Sequence, residues 1–271
     1  MKKLNGIPQL GLGTYPLQGD DVYNAVRMVV DLGYRHIDTA QMYGNEAGVG
    51  RAIKDCGVKR EELFIVTKVD PGNVSQQKFS KTVAKSLTDL GGPVDLLLIH
   101  WPPAESEVDG VLDRLLEELA NGNTKAIGVS NFSTKMLRHA HAYTQGKIIC
   151  NQVEFHPLID QSKLNGAAAE LGIVLEAYSP IARGAALKPK IIQAIAVKHN
   201  RPPSEIVLRW ITQQGVVAIP MTTKKVNAES NLQFLKFDLS AEDMKSISAL
   251  GTANGRTINP SWMQGRWDPT T

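Results

Sequence analysis

Five apolar runs along this chain stop at residues that are costly to bury: Asp38, Lys68, His100, the Ser130–Asn131 pair and Gln152. They comprise a carboxylate, an ammonium, an imidazole, a hydroxyl and two amides, groups that general acid–base chemistry and polar binding draw on. Singly, each admits an ordinary explanation. Asp38 and Ser130 could cap the helices that follow, Lys68 could carry its ammonium to solvent along an aliphatic stem, and His100 could be a hydrogen-bonded core histidine. What the five share is their place at the carboxyl end of a run, and that place has meaning only if the runs are parallel strands.

The surrounding pattern supports this. β-Branched runs alternate with amphipathic stretches along nearly the whole chain, as βαβ units require. Strands are expected at residues 9–14, 36–38, 63–68, 96–100, 126–130, 148–154, 173–177 and 216–219. Between them, Val22, Ala25, Val26, Val29 and Val30 fall on one helical face, as do Leu112, Leu115, Leu116 and Leu119, and later Ile191, Ile192 and Ile195. The last strand interval holds two helices, 187–199 and 204–214. After Ile219 come a helix over 227–234 and another from Ser240, with Asp243 placed as in a capping box. No linker interrupts the series. Eight strand–helix pairs without a break favour a single (β/α)8 TIM barrel over residues 1–271, with two extra helices and a short C-terminal tail, rather than a doubly wound sheet. In such a barrel the carboxyl ends of all strands form one rim, so the five polar positions converge there.

Other features narrow the class. With 30 Lys and Arg against 27 Asp and Glu, the net charge is +3 and the basic residues form no stripe, so a nucleic-acid partner is not expected. The two cysteines, Cys56 and Cys150, have no metal-ligand or redox spacing, and a reducing, cytoplasmic setting is expected. There is no apolar run of membrane-spanning length, and the first residues do not resemble a secretory signal. Gly11, Gly13, Gly48 and Gly50 do not complete G-x-G-x-x-G, which argues against a Rossmann site. His139 and His141, two apart on a helix, read as surface residues. A monomer is the default expectation. Lys224 and Lys225, after the last strand, lie where barrels often bind phosphate, although a solvated pair explains them equally well.

Two segments, GYRHIDTAQMYGNEAGVG (33–50) and KAIGVSNF (125–132), resemble signatures of the aldo-keto reductases. The resemblance runs the length of the chain, through NGIPQLGLGT at the start, HWP after the fourth expected strand, NQVEFHP in the sixth and AYSP in the seventh. Within that family, the compact length and the run TTKKVNAESN are similar to bacterial 2,5-diketo-D-gluconate reductases, which also reduce methylglyoxal. The resemblance implies a catalytic tetrad of Asp38, Tyr43, Lys68 and His100 and no metal. Tyr43 would give a proton to a carbonyl oxygen while a reduced nicotinamide gives hydride to the carbon. Lys68 would make the phenol more acidic, Asp38 would balance the ammonium, and a neutral His100 would orient the carbonyl. For the cofactor, the resemblance implies contacts from Thr14, Asp38, Ser130, Asn131 and Gln152, stacking by Tyr178, and a pyrophosphate near Ser179 and Pro180. Tyr15, His100 and Trp101 would line the substrate pocket.

The departure from the family lies at the adenosine end. The usual Ile-Pro-Lys-Ser reads Ile219-Pro220-Met221-Thr222 here, and Asn227 and Ser230 stand where Arg and Glu are usual, with Asn231 kept. Thr222, Thr223 and Lys224 could still bind a 2′-phosphate, so NADPH is expected, with NADH as the alternative. The tail after Leu250 is expected to make at most one flap, leaving an open pocket. Trp262, Arg266 and Trp267 either belong to that flap or pack the chain end. Two other functions fit the same residues: a regulatory barrel that binds nicotinamide with little turnover, and an aldolase using Lys68 as a Schiff base.

Overall fold

The computed structural model describes residues 2–268, so the two ends of the 1–271 domain reading lie outside the described residues. It begins with an element absent from the expected series. Strands β1 (Lys3–Leu4) and β2 (Ile7–Pro8) pair antiparallel around Asn5 and Gly6, whose φ of 46° and 84° suit the Asn-Gly turn of a tight hairpin. The remaining strands, β3 (Leu12–Gly13), β4 (His36–Asp38), β5 (Phe64–Val69), β6 (Leu96–Ile99), β7 (Ile127–Ser130), β8 (Ile148–Glu154), β9 (Val174–Tyr178) and β10 (Val217–Ala218), form one parallel sheet in chain order. A bridge between Leu10 and Ala218 brings its two edges together, with Gly11 N donating to Ala218 O and Ala218 N to Gln9 O. The expected (β/α)8 barrel is therefore present. Its first strand is shorter than the expected 9–14 span, because residues 9–11 bond to β10 on one side and only 12–13 pair with β4 on the other.

Helices α1 (Gly19–Asp31), α2 (Glu46–Asp55), α3 (Phe79–Leu90), α4 (Val108–Ala120), α5 (Thr134–Tyr143) and α6 (Ser162–Glu170) each follow one strand. After β9 come α7 (Lys190–His199) and α8 (Pro203–Gln213), and after β10 come α9 (Lys225–Asn231) and α10 (Ala241–Ser248). α7 and α10 are the two extra helices. The helix expected over 227–234 starts at Lys225 and passes into a 3-10 turn, Leu232–Lys236, that buries Phe234. The apolar stripes face the sheet: Val22, Val26 and Val29 of α1 are fully buried, each contributing about 1.5–3 kcal/mol.

Inside the barrel the layers differ. Ile7, Val66, Leu96, Leu98, Cys150, Val174, Val217 and Ile219 pack together as a cluster of their own, and Ile7 brings the hairpin against it. The carboxyl-end rim carries the polar residues. Gly128 is required in this interior, since a Cβ there would stand 2.6 Å from Leu98 Cδ2 and 2.7 Å from Cys150 O.

Candidate active site

Asp38 is the last residue of β4 and Lys68 the penultimate residue of β5, both facing into the barrel. Lys68 is fully buried, and its Nζ donates to Asp38 Oδ1 (2.7 Å), Thr39 O (2.8 Å) and Tyr43 Oη (3.3 Å). Three acceptors account for the three protons of an ammonium. Although burial favours the neutral amine, Asp38 and Tyr43 outweigh it and raise the Lys68 pKa. Burial pushes the Asp38 carboxyl up, against the pull of Lys68 and of Gln152, whose Nε2 donates to Asp38 Oδ2 at 2.8 Å.

Tyr43 lies in a 3-10 turn, Gln41–Tyr43, which ends at Gly44 in a left-handed conformation (φ 65°) that glycine adopts without strain. The turn is tied to the barrel: Asn45 accepts from Thr39 Oγ1 at 2.6 Å and donates to Leu17 O at 2.9 Å. Lys68 makes the Tyr43 phenol more acidic, as expected, through its charge and its hydrogen bond, but the net shift is upward. Burial raises the phenol above its ordinary pKa by more than Lys68 lowers it, and Asp38 and Glu176 add to the rise. His100, just past β6, presents its ring edge-on to Tyr43 with centroids 5.5 Å apart. Its pKa falls well below the ordinary value because of burial and the Lys68 charge, so the ring is neutral at pH 7.

Around these four, the remaining rim residues form one hydrogen-bonded group. Ser130 Oγ donates to Gln152 O (2.8 Å), Asn131 Nδ2 donates to His100 O and to Ser130 Oγ (3.1 Å each), and Tyr178 Oη donates to Asn131 Oδ1 (2.8 Å). Asn131 and Ser179 hold positive φ (64° and 48°), conformations that cost energy in residues other than glycine and that concentrate at functional rims. Tyr178 is half-buried and Pro180 buried at the end of β9. Buried Thr14 donates its backbone N–H to Asp38 O at 3.0 Å. Tyr15 is exposed, with its ring 5.2 Å from that of Tyr43. Trp101 stacks beside His100.

The tail takes the flap position. Trp262 and Trp267 pack against Trp101 at 5.0 and 6.3 Å between ring centroids, and Arg266 donates to the carbonyls of Pro102 and Pro103. Its anchor is fully buried Glu154, the last residue of β8, which accepts from His156 Nε2, Thr257 N and Ile258 N. The signal for that anchor was a carboxylate at the end of a buried strand.

The residues expected to meet the adenosine are more dispersed. Thr222 is buried, and its Oγ1 accepts from Lys224 N (3.1 Å) and Asn227 Nδ2 (3.3 Å), so its hydroxyl serves the turn into α9. Thr223 and Lys224 are exposed. Ser230 donates to Glu205 at 2.7 Å, and Asn231 is buried, facing the Tyr34 hydroxyl.

The sequence from residue 5 to 252 matches the model of the aldo/keto reductase family. The chain is 41% identical to methylglyoxal reductase DkgB of Escherichia coli O157:H7, over 97% of this chain and 99% of that protein. It is 40% identical to glyoxal reductase of Bacillus subtilis (strain 168), over 96% and 95% of the two chains. A crystal structure provisionally assigned as a 2,5-diketo-D-gluconic acid reductase B superposes with a TM-score of 0.95 at 36% identity, covering 98% of this chain and 96% of that one. The chain therefore belongs to the aldo/keto reductase family of NAD(P)H-dependent oxidoreductases.

Proposed function

We propose that this enzyme reduces small aldehydes and ketones, of the methylglyoxal and 2,5-diketo-D-gluconate kinds, with NADPH and with Tyr43 as the proton donor. The observation that carries the proposal is the Lys68 ammonium, held at once against Asp38, Thr39 O and the Tyr43 hydroxyl. The names of the relatives support the substrate class.

The rim suits a nicotinamide: the half-buried Tyr178 ring offers a surface to stack on, beside the hydroxyl and amides of Ser130, Asn131 and Gln152 for a carboxamide. When bound, the reduced ring supplies hydride to the carbonyl carbon. The oxygen then gathers negative charge and needs a proton. Tyr43, whose pKa is raised, keeps its proton until that charge develops, and Lys68 stabilises the tyrosinate left behind. Neutral His100 donates a hydrogen bond to the same oxygen without competing for the proton. Asp38 and Gln152 hold the ammonium in place. On this reading Thr14 and Asp38 would contact the nicotinamide, Ser179 and Pro180 would hold the pyrophosphate, and Tyr15, Trp101 and the tail tryptophans would line the substrate side.

Thr223 and Lys224 are left to meet the 2′-phosphate, with Thr222 shaping their turn and Asn231 supporting the adenosine from within. The absence of any helix long and apolar enough to cross a membrane among the described residues, with both cysteines buried and free, fits a cytoplasmic enzyme. Against the aldolase reading, a Schiff base needs a neutral amine, and Lys68 is held as its ammonium.

The test is cofactor oxidation across a panel of aldehydes and keto sugars with NADPH and NADH. Turnover of methylglyoxal with NADPH preferred is expected, and Lys224→Ala should raise KM for NADPH about tenfold while leaving NADH unchanged. A preference for NADH would overturn the Lys224 assignment, and no oxidation with any carbonyl would favour the regulatory barrel.

A further inference from the structure

Beneath the rim lies a second pair of buried ionisable groups that the proposed chemistry leaves unused. His36 precedes Asp38 by two residues on β4 and Glu176 precedes Tyr178 by two on β9, so each points to the same face of its strand as its rim neighbour. Both are fully buried. His36 Nδ1 lies 3.2 Å from Pro8 O, which can only accept, so Nδ1 carries a hydrogen. The other ring nitrogen, Nε2, lies 3.3 Å from Glu176 Oε1. With the hydrogen on Nδ1, a neutral ring would set its Nε2 lone pair against a carboxylate, so the pair is favourable when it holds one further proton; the two atoms stand at ion-pair distance rather than in a hydrogen bond. Burial disfavours the imidazolium, yet Glu176 more than offsets it and His36 ends with a raised pKa. The chain makes room for this ring, since a Cβ on Gly11 would stand 2.7 Å from His36 Cγ.

Glu176 also faces the proposed site. It pairs with Gln152 across the β8–β9 register, and Cys150 Sγ donates to its Oε2 at 3.7 Å. Gln152 Nε2 donates to Asp38 Oδ2, and Glu176 stands beside Gln152 on the neighbouring strand. Only the nitrogen end of an amide can satisfy two carboxylates, so together Asp38 and Glu176 fix which way the Gln152 amide is turned. The charged and titratable groups that act on Glu176 are thus His36 and Asp38 from β4, Lys68 from β5 and Cys150 from β8, with Tyr43 in the turn above.

We propose that Glu176, paired with His36, is a positioning residue: it fixes the Gln152 amide from below and sets a second negative charge beneath Lys68. This deepens the reading in which Tyr43 is the acid and Gln152 meets the cofactor, and it rests on that reading. The consequence has a sign. Glu176 raises the pKa of both Lys68 and Tyr43, so removing its charge lowers both and makes the phenol lose its proton sooner.

The experiment compares wild type, Glu176→Gln and Glu176→Asp by the pH dependence of kcat/KM for methylglyoxal and by NADPH binding, read as quenching of tryptophan fluorescence. In Glu176→Gln the alkaline limb should move down by about one pH unit. In Glu176→Asp, which keeps the charge but withdraws it from Gln152, the limb should stay and the Kd for NADPH should rise about three- to tenfold. A wild-type limb in Glu176→Gln overturns the proposal. Should Glu176→Gln not fold, wild-type NADPH affinity in Glu176→Asp overturns it instead. Failure of the underlying reading shows separately, as a Tyr43→Phe variant that keeps its turnover.

Discussion

Lys68 carries its charge where no solvent reaches it, and it can do so only because Asp38, Thr39 O and Tyr43 replace the water it has lost. Truncating it to methionine would leave Asp38 buried with Gln152 as its one hydrogen-bond donor from a side chain. Lys68→Met is expected to cost about 3–5 kcal/mol in urea denaturation, the usual result of stranding one member of a buried pair. Adding Asp38→Asn should return part of that loss, so a double-mutant cycle should show coupling of at least about 1 kcal/mol. Strict additivity would mean that the pair does not share its charge as described. Asp38, Lys68, His100, Ser130, Asn131 and Gln152 are legible in the sequence because each is a polar group closing an apolar run. Tyr43 is not: it sits in a 3-10 turn beyond β4, outside any strand pattern, and only the family signature reveals it. His36 and Glu176 escape notice for the opposite reason. His36 opens a three-residue strand and Glu176 lies within an apolar one, and in neither does alternation alone say which face looks into the barrel.

Elements are legible where burial on both faces writes a continuous apolar run, as in β6 (LLLI), or where a stripe repeats every helical turn, as in α1. The hairpin of β1 and β2 is too short for either signal, and Asn5–Gly6 is the one cue it leaves. The extra helices α7 and α10 are fastened to each other by one carboxylate. Asp243 accepts from Lys198 Nζ at 2.9 and 3.0 Å and from His199 Nε2 at 2.9 Å, while its backbone N–H is capped by Ser240 Oγ. Burial alone would raise its pKa, but these donors outweigh that and lower it to about 2. A depressed carboxyl pKa stabilises the fold above the unfolded value of about 4, and that contribution is lost as pH falls towards 2. Because Lys198 is largely exposed and solvent screens it, Asp243→Asn is expected to cost only about 1 kcal/mol at pH 6. Denaturation at pH 6 and pH 3 checks this: the gap between wild type and variant should narrow in acid, and an equal gap at both pH values would contradict the clamp.

At the scale of the whole molecule, closure of the sheet through Leu10 and Ala218 gathers residues from β4 to β9 onto one rim. The convergence expected from strand ends alone is thereby met in space for Asp38, Lys68, His100, Ser130, Asn131 and Gln152, which share hydrogen bonds or direct ring contacts through Tyr43 and Tyr178. Residues 222–231 are harder to read because a threonine hydroxyl serves a helix turn as readily as a phosphate, and Thr222 does the former. The tail's course over Trp101 depends on Glu154 and on contacts more than a hundred residues apart, which no local pattern encodes. All of this geometry points to one proton. The most direct measurement is NADPH oxidation with methylglyoxal by Tyr43→Phe, alongside NADPH binding to the same variant. Turnover should fall by at least about 10²-fold while NADPH affinity stays at the wild-type value. Wild-type turnover in Tyr43→Phe would contradict the assignment of Tyr43 as the acid.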